Sequence, residues 1–121
     1  MAPRKTYREL EAWQHTMDLV EGVYRLTKTF PSDERYCLAV QLHRACVSIP
    51  SNIAEGQGRG TRGEFCQALW IARGSLCELE TQLLIAGRPG YVNQSTAEGT
   101  LRLAGTAGRL LNGLSRSLTP P

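Results

Sequence analysis

Three arginines in the last quarter of the chain, Arg102, Arg109 and Arg116, recur every seven residues. On a helix that spacing sets them on one side, in a row nearly parallel to the axis. A guanidinium presents a planar fork of donors that matches two phosphate oxygens, so such a row is chemistry for a nucleic-acid backbone. Arg4, Lys5 and Arg8 near the amino terminus can extend it if the first and last helices are neighbours. The competing reading is a solvated face, or salt bridges to Glu11, Asp18 and Glu21. Charge is distributed in step with the row. Residues 1–87 hold ten basic and ten acidic residues, whereas residues 88–121 hold Arg88, Arg102, Arg109 and Arg116 against Glu98 alone. The formal charge of +3 therefore resides in the last quarter. A total that small does not by itself indicate nucleic acid.

A second polar set follows helical spacing: Arg44, Ser48, Asn52, Glu55 and Arg59, with Glu64, Ser75 and Glu78 further on. These residues read either as a ligand or RNA surface, or as a hydrogen-bonded network that fixes how helices or subunits meet. The network is the preferred reading, because a charge taken out of water must be paired.

Catalytic chemistry finds little to stand on. His15 and His43 belong to different helices, and no HxxxH or ExxH pattern supplies metal ligands. Glu78 and Glu80 are two residues apart, so they point to different sides of a helix. Ser75 after Gly74 lacks the strand–turn–helix setting of a nucleophile elbow. Gly56-Gln57-Gly58-Arg59-Gly60 follows a helix and matches no phosphate-loop fingerprint. The expectation is no enzyme, no metal and no cofactor. Cys37, Cys46, Cys66 and Cys77 form no CxxC pair and are expected to be free, mostly buried thiols of a cytoplasmic protein. No apolar run approaches the roughly 20 residues that span a bilayer, and the basic amino terminus is not followed by the apolar core of a signal peptide.

The elements that must position these residues are helices. A chain of 121 residues with 41 % hydrophobic content suits one globular domain over residues 1–121. Periodicity places helices roughly over 7–29, 33–56, 62–87 and 95–118. The first carries Leu10, Trp13, Met17, Val20 and Tyr24 as its main seam, with Leu19, Val23, Leu26 and Phe30 as surplus apolar width beside it. Ser32 is the expected cap of the second helix, which runs through Pro50 and carries Leu38, Leu42, Ala45, Ile49, Ile53 and Gly56 on one stripe. Thr61 and Glu64 form a capping-box pattern before the third, whose stripe is Phe65, Leu69, Ala72, Leu76, Leu79, Leu83 and Ala86. The fourth begins near Ser95 and contains Gly99, Gly105, Gly108 and Gly113, which suit close approach of another backbone or support from a neighbouring subunit, or else mark a frayed carboxy-terminal helix. The natural architecture is an all-α, antiparallel up-down-up-down four-helix bundle whose surplus apolar strip is covered by further copies.

Several segments together carry a family resemblance: Trp13-Gln14, Phe30-Pro31-Ser32-Asp33-Glu34-Arg35-Tyr36, Arg44-Ala45-Cys46-Val47-Ser48-Ile49-Pro50-Ser51-Asn52-Ile53-Ala54-Glu55-Gly56, and Ala72-Arg73-Gly74-Ser75-Leu76-Cys77-Glu78-Leu79-Glu80-Thr81-Gln82. With them the chain resembles the four-helix-bundle proteins encoded in 23S rRNA intervening sequences. It is more distantly similar to the accessory variability protein of diversity-generating retroelements, which works with a reverse transcriptase. The resemblance implies a homopentameric ring. It also implies either an association with RNA or a role as an accessory subunit or scaffold for a nucleic-acid-processing protein.

Overall fold

A computed structural model describes residues 6–34 and 37–118. Arg4 and Lys5, the motif residues Arg35 and Tyr36, and the tail Thr119-Pro120-Pro121 lie outside the described residues. The described chain is all-α: α1 (Glu11–Thr27), α2 (Leu38–Gly58), α3 (Arg62–Gly87) and α4 (Gln94–Leu118), with short 3-10 turns at Tyr7–Glu9 and Ser32–Glu34. Contacts close a ring. α1 packs on α2 and α4, and α3 packs on α2 and α4. No helix among the described residues is long and apolar enough to cross a membrane.

Local chemistry explains the helix bounds. Leu10 is extended, at φ −74° and ψ 127°, so the turn at Tyr7–Glu9 cannot run on into α1. At the other end the Thr29 and Phe30 amides bond three residues back, to Leu26 and Thr27, which tightens the chain out of the helix. α2 starts later than Ser32 suggests. The Glu34 amide donates to Pro31 O and the Cys37 amide to Glu34 O, so residues 32–34 close a separate 3-10 turn and Ser32 caps no α-helix. α3 is capped as its sequence suggests, with the Glu64 amide donating to Thr61 Oγ1 at 3.2 Å. The returning bond runs from the Thr61 hydroxyl to Glu64 Oε1, at 3.1 Å. α4 is capped by Asn93, whose Oδ1 accepts from the Thr96 amide at 2.8 Å and from the Ser95 hydroxyl at 3.2 Å.

The core draws on all four helices. Leu42, Cys46, Ile49 and Ile53 of α2 meet Leu69, Ala72, Leu79 and Leu83 of α3 and Ala104, Ala107 and Leu111 of α4. Pro50 is buried within α2, and the helix continues through it. On α1 the expected weighting shifts. Leu19, Val23 and Leu26, with Phe30 just after the helix, are the buried row; Leu10, Trp13 and Val20 of the expected seam pack partly buried against the core, and Met17 and Tyr24 are exposed. Exposed apolar surface is concentrated on α3, where Trp70 is 68 % exposed, Leu84 57 %, Ile71 52 % and Ile85 49 %, with Met17, Tyr24 and Val47 exposed to a lesser degree on α1 and α2.

Close approaches shape the packing, and a Cβ on Gly22 would lie 2.9 Å from a Leu103 methyl, where α1 meets α4. A Cβ on Gly56 would lie 2.4 Å from the Cβ of Ala68, so α2 meets α3 there with no room for a methyl group. Among the glycines of α4, Gly108 would meet a Leu76 methyl at 3.3 Å, while Gly113 faces open space. Close packing within the chain thus accounts for Gly108 and not for Gly113.

Candidate nucleic-acid interface

α4 buries Ala97, Thr100, Ala104, Ala107 and Leu111. The arginines fall on the side away from that stripe, and Arg102, Arg109 and Arg116 are all exposed. None of the three forms a salt bridge among the described residues, where the ion pairs are Glu21–Arg25, Glu55–Arg59 and Arg59–Glu64. Of the α1 acids Glu11, Asp18 and Glu21, none forms an ion pair with the row, although Glu11 lines one concavity with Arg109. Arg109 Nη2 donates to Thr106 Oγ1 at 3.2 Å, a neighbour on its own helix. A Cβ on Gly99 or Gly105 would have an arginine head group, that of Arg102 or Arg109, 3.7 Å away. That is ordinary contact distance, so the two guanidinium groups lie along α4 beside these glycines without requiring them.

Arg8 is exposed, and its guanidinium carbon lies 5.7 Å from the centroid of the Tyr7 ring. Its carbonyl accepts from Gln14 Nε2 at 2.9 Å. Thr6 and Tyr7 share one concavity with Gly58, Arg62, Phe65 and Leu118. The turn before α1, the α2–α3 connection and the end of α4 thus lie at one end of the molecule.

The second polar set divides into separate groups. Ser48 Oγ and Ser75 Oγ lie 2.8 Å apart and join α2 to α3. Asn52 Nδ2 donates to both Ser48 O, at 2.8 Å, and Ser48 Oγ, at 3.0 Å. At the α2–α3 connection Arg59 pairs with Glu55 at 2.7 Å and with Glu64 at 3.6 Å. The hydrogen bond and charge of Glu55, with the charge of Glu64, hold the Arg59 pKa above its ordinary value. Glu78 accepts from Gln82 Nε2 at 3.1 Å along α3, and Arg44 stands exposed on α2. These residues stitch helices together locally and do not converge on one site.

Two groupings escaped the sequence reading. The rings of Tyr24 on α1 and His43 on α2 stack, and His43 Nε2 lies 2.8 Å from Thr27 Oγ1. Burial holds the His43 pKa below its ordinary 6.5. The second grouping lies between α3 and α4. Arg73 sits over the exposed Trp70 ring at 4.9 Å, and both line a concavity of about 360 Å³ with Cys66, Asn112, Ser115 and Arg116. Trp70 is off the core stripe of α3, a large aromatic on a side that packing inside the chain does not require. That was the available signal.

The cysteines are less buried than expected. Cys46 is buried, and burial pushes its thiol up to about 11, whereas Cys37 and Cys77 are exposed. All four are free thiols. Among the described residues no three His, Cys, Asp or Glu side chains group as metal ligands.

Comparison with known proteins bears on this geometry. The family model of the 23S rRNA-intervening sequence protein matches residues 8–113. No curated protein matches the chain. A solved structure of a protein of unknown function from Bacteroides thetaiotaomicron, assigned to the S23 ribosomal protein family, superposes with a TM-score of 0.79 at 21 % identity. The match covers 86 % of this chain and 97 % of that one. At that identity the likeness is one of fold.

Proposed function

The chain belongs to the 23S rRNA-intervening sequence protein family, and from that premise we propose that it is a non-catalytic, self-assembling protein that associates with RNA through the outer face of α4. The observation that carries the reading is the row Arg102, Arg109 and Arg116, exposed and without a carboxylate partner among the described residues. Unneutralised guanidinium groups in line attract a phosphate backbone and bind it bidentately. Arg8 extends the basic surface at the end of the molecule where α4 finishes, and Arg4 and Lys5 precede it in sequence.

The protomer is an antiparallel up-down-up-down bundle, an arrangement favoured by the short connection Arg59–Thr61 between α2 and α3. It assembles into a homo-oligomer, in the pentameric form that the family resemblance implies. The exposed isoleucines of α3 support this. Ile71 and Ile85 lie on one side of the helix, on either side of the exposed Glu78, and about half of each is left uncovered by the described residues. In a symmetric assembly each arginine row is repeated, so a modest charge per chain becomes a strong field.

The test is a salt titration of binding to 23S rRNA fragments. The logarithm of the affinity should fall linearly with the logarithm of salt concentration, because neutralised phosphates release counterions. Changing Arg102, Arg109 and Arg116 together to Ala should flatten that slope by about two to three, at roughly 0.7 to 0.9 for each phosphate no longer neutralised. Absence of binding at low salt, or a slope indifferent to the triple change, would exclude the reading.

A further inference from the structure

We propose that Trp70 is a stacking platform for an unpaired base of single-stranded RNA, with Arg73 and Arg116 holding the phosphates on either side of that base. This rests on the RNA association proposed above and names the form of RNA that the surface takes.

The site begins with an anomaly of burial. The core stripe of α3 runs through Leu69, Ala72, Leu76, Leu79 and Leu83, and Trp70 lies outside it. An indole left 68 % exposed forgoes most of the stabilisation that burial would bring. Arg73 covers one face of the ring, with its guanidinium carbon 4.9 Å from the centroid. With one face covered and two-thirds of the residue still exposed, the second face is open to solvent. A nucleobase stacks on such a face whatever its sequence, because every base has a π surface.

Charge completes the argument. The concavity beside Trp70 holds about 360 Å³, within the size range of small-ligand sites. Its charged members are Arg73 from α3 and Arg116 from α4, and no carboxylate of the described residues lines it. Asn112 adds a side-chain amide that can pair with the edge of a base. Arg116 is also the last member of the α4 row, so a backbone tracking Arg102, Arg109 and Arg116 arrives at Trp70. A platform at the end of a basic track is the arrangement by which proteins hold single strands. In a duplex the bases are already stacked and paired, and the platform has nothing to receive.

The experiment uses the full chain with Trp13→Phe, which leaves Trp70 as the sole indole. Trp13 touches Tyr7 edge-on at 5.4 Å, a contact that phenylalanine keeps. A short oligoadenylate should quench Trp70 emission, and a blunt RNA duplex of equal charge should not. In the parent chain, Trp70→Ala should weaken oligoadenylate binding roughly fivefold to a hundredfold, as expected when one base stack is removed. Trp70→Phe should recover most of that affinity, and circular dichroism should report unchanged helix content in both. If oligoadenylate binds through the arginines with Trp70 emission and the Trp70→Ala affinity unchanged, the platform is refuted and the arginine-row reading survives. If neither RNA binds, both fall. If Trp70 emission is that of a buried indole and reddens on dilution, a second copy covers the ring, and the platform is refuted.

Discussion

The imidazole of His43 lies flat against the phenol ring of Tyr24, with planes 3° apart and centroids 4.0 Å apart. The stack joins α1 to α2 and is anchored by Thr27, whose hydroxyl also lies 3.2 Å from Tyr24 O. Lys28 is the charged group lining the same concavity. Burial disfavours the imidazolium, so the folded protein takes up a proton at this site less readily than the unfolded chain does.

The consequence for stability has a definite sign. Below about pH 6.5, the ordinary histidine value, the unfolded chain binds more protons at this site than the folded one, so stability declines as the solution is made more acidic, until the folded-state pKa is passed. Above that window the contribution is flat. Urea midpoints measured from about pH 5 to about pH 8 should show this decline, and His43→Phe should reduce its steepness while keeping the ring stack. An unchanged slope in His43→Phe would assign the pH dependence to other groups.

Gly56 and Gly58 should respond oppositely to alanine. Gly56→Ala drives a methyl group into Ala68 and should destabilise by about 1 to 3 kcal/mol. Gly58 has nothing within 4 Å, so Gly58→Ala should be neutral or stabilise by up to about 1 kcal/mol, through the lower entropy of the unfolded chain. Chemical denaturation of the two variants side by side checks the pair.

Ser48 and Ser75 supply a direct polar link between α2 and α3. Each serine changed to Ala should lower stability by about 1 kcal/mol, with Ser48→Ala the larger because Asn52 is then deprived of an acceptor. A double-mutant cycle should return a coupling of about 0.5 to 1.5 kcal/mol between them.

Ile71 and Ile85 are exposed and contribute little to the core of a single chain. Ile71→Glu with Ile85→Glu should therefore leave helix content unchanged and reduce the mass measured by light scattering to that of a monomer. A parent protein that is already monomeric at high concentration would remove the case for self-assembly.

The readable and unreadable parts of this chain separate by how local their causes are. The start of α3 is written in adjacent residues, because the Thr61 side chain reaches only to Glu64. The rows of α1 are harder. Two four-then-three series interleave there, and the buried one, Ala12, Thr16, Leu19, Val23, Leu26 and Phe30, has a threonine near its start. Thr16 is fully buried because its hydroxyl donates to Trp13 O at 2.8 Å, so its polarity is satisfied within its own turn. Hydropathy alone penalises that residue and favours the outer series. The arginine row was legible as a spacing, but its meeting with Trp70 depends on how α3 and α4 lie against each other. The separate groups formed by the polar residues of α2 and α3 depend in the same way on packing.

Helix α3 is occupied on two flanks. One fills the interior, and the opposite one carries Trp70 and Ile71 near its start and Leu84 and Ile85 near its end. Most helices of a small protein keep one face on which mutations accumulate at little harm. On α3 that tolerance is confined to the middle of the outer flank, around the exposed Gly74, Cys77 and Thr81, so sequence drift among descendants of this chain should be slow at both ends of it.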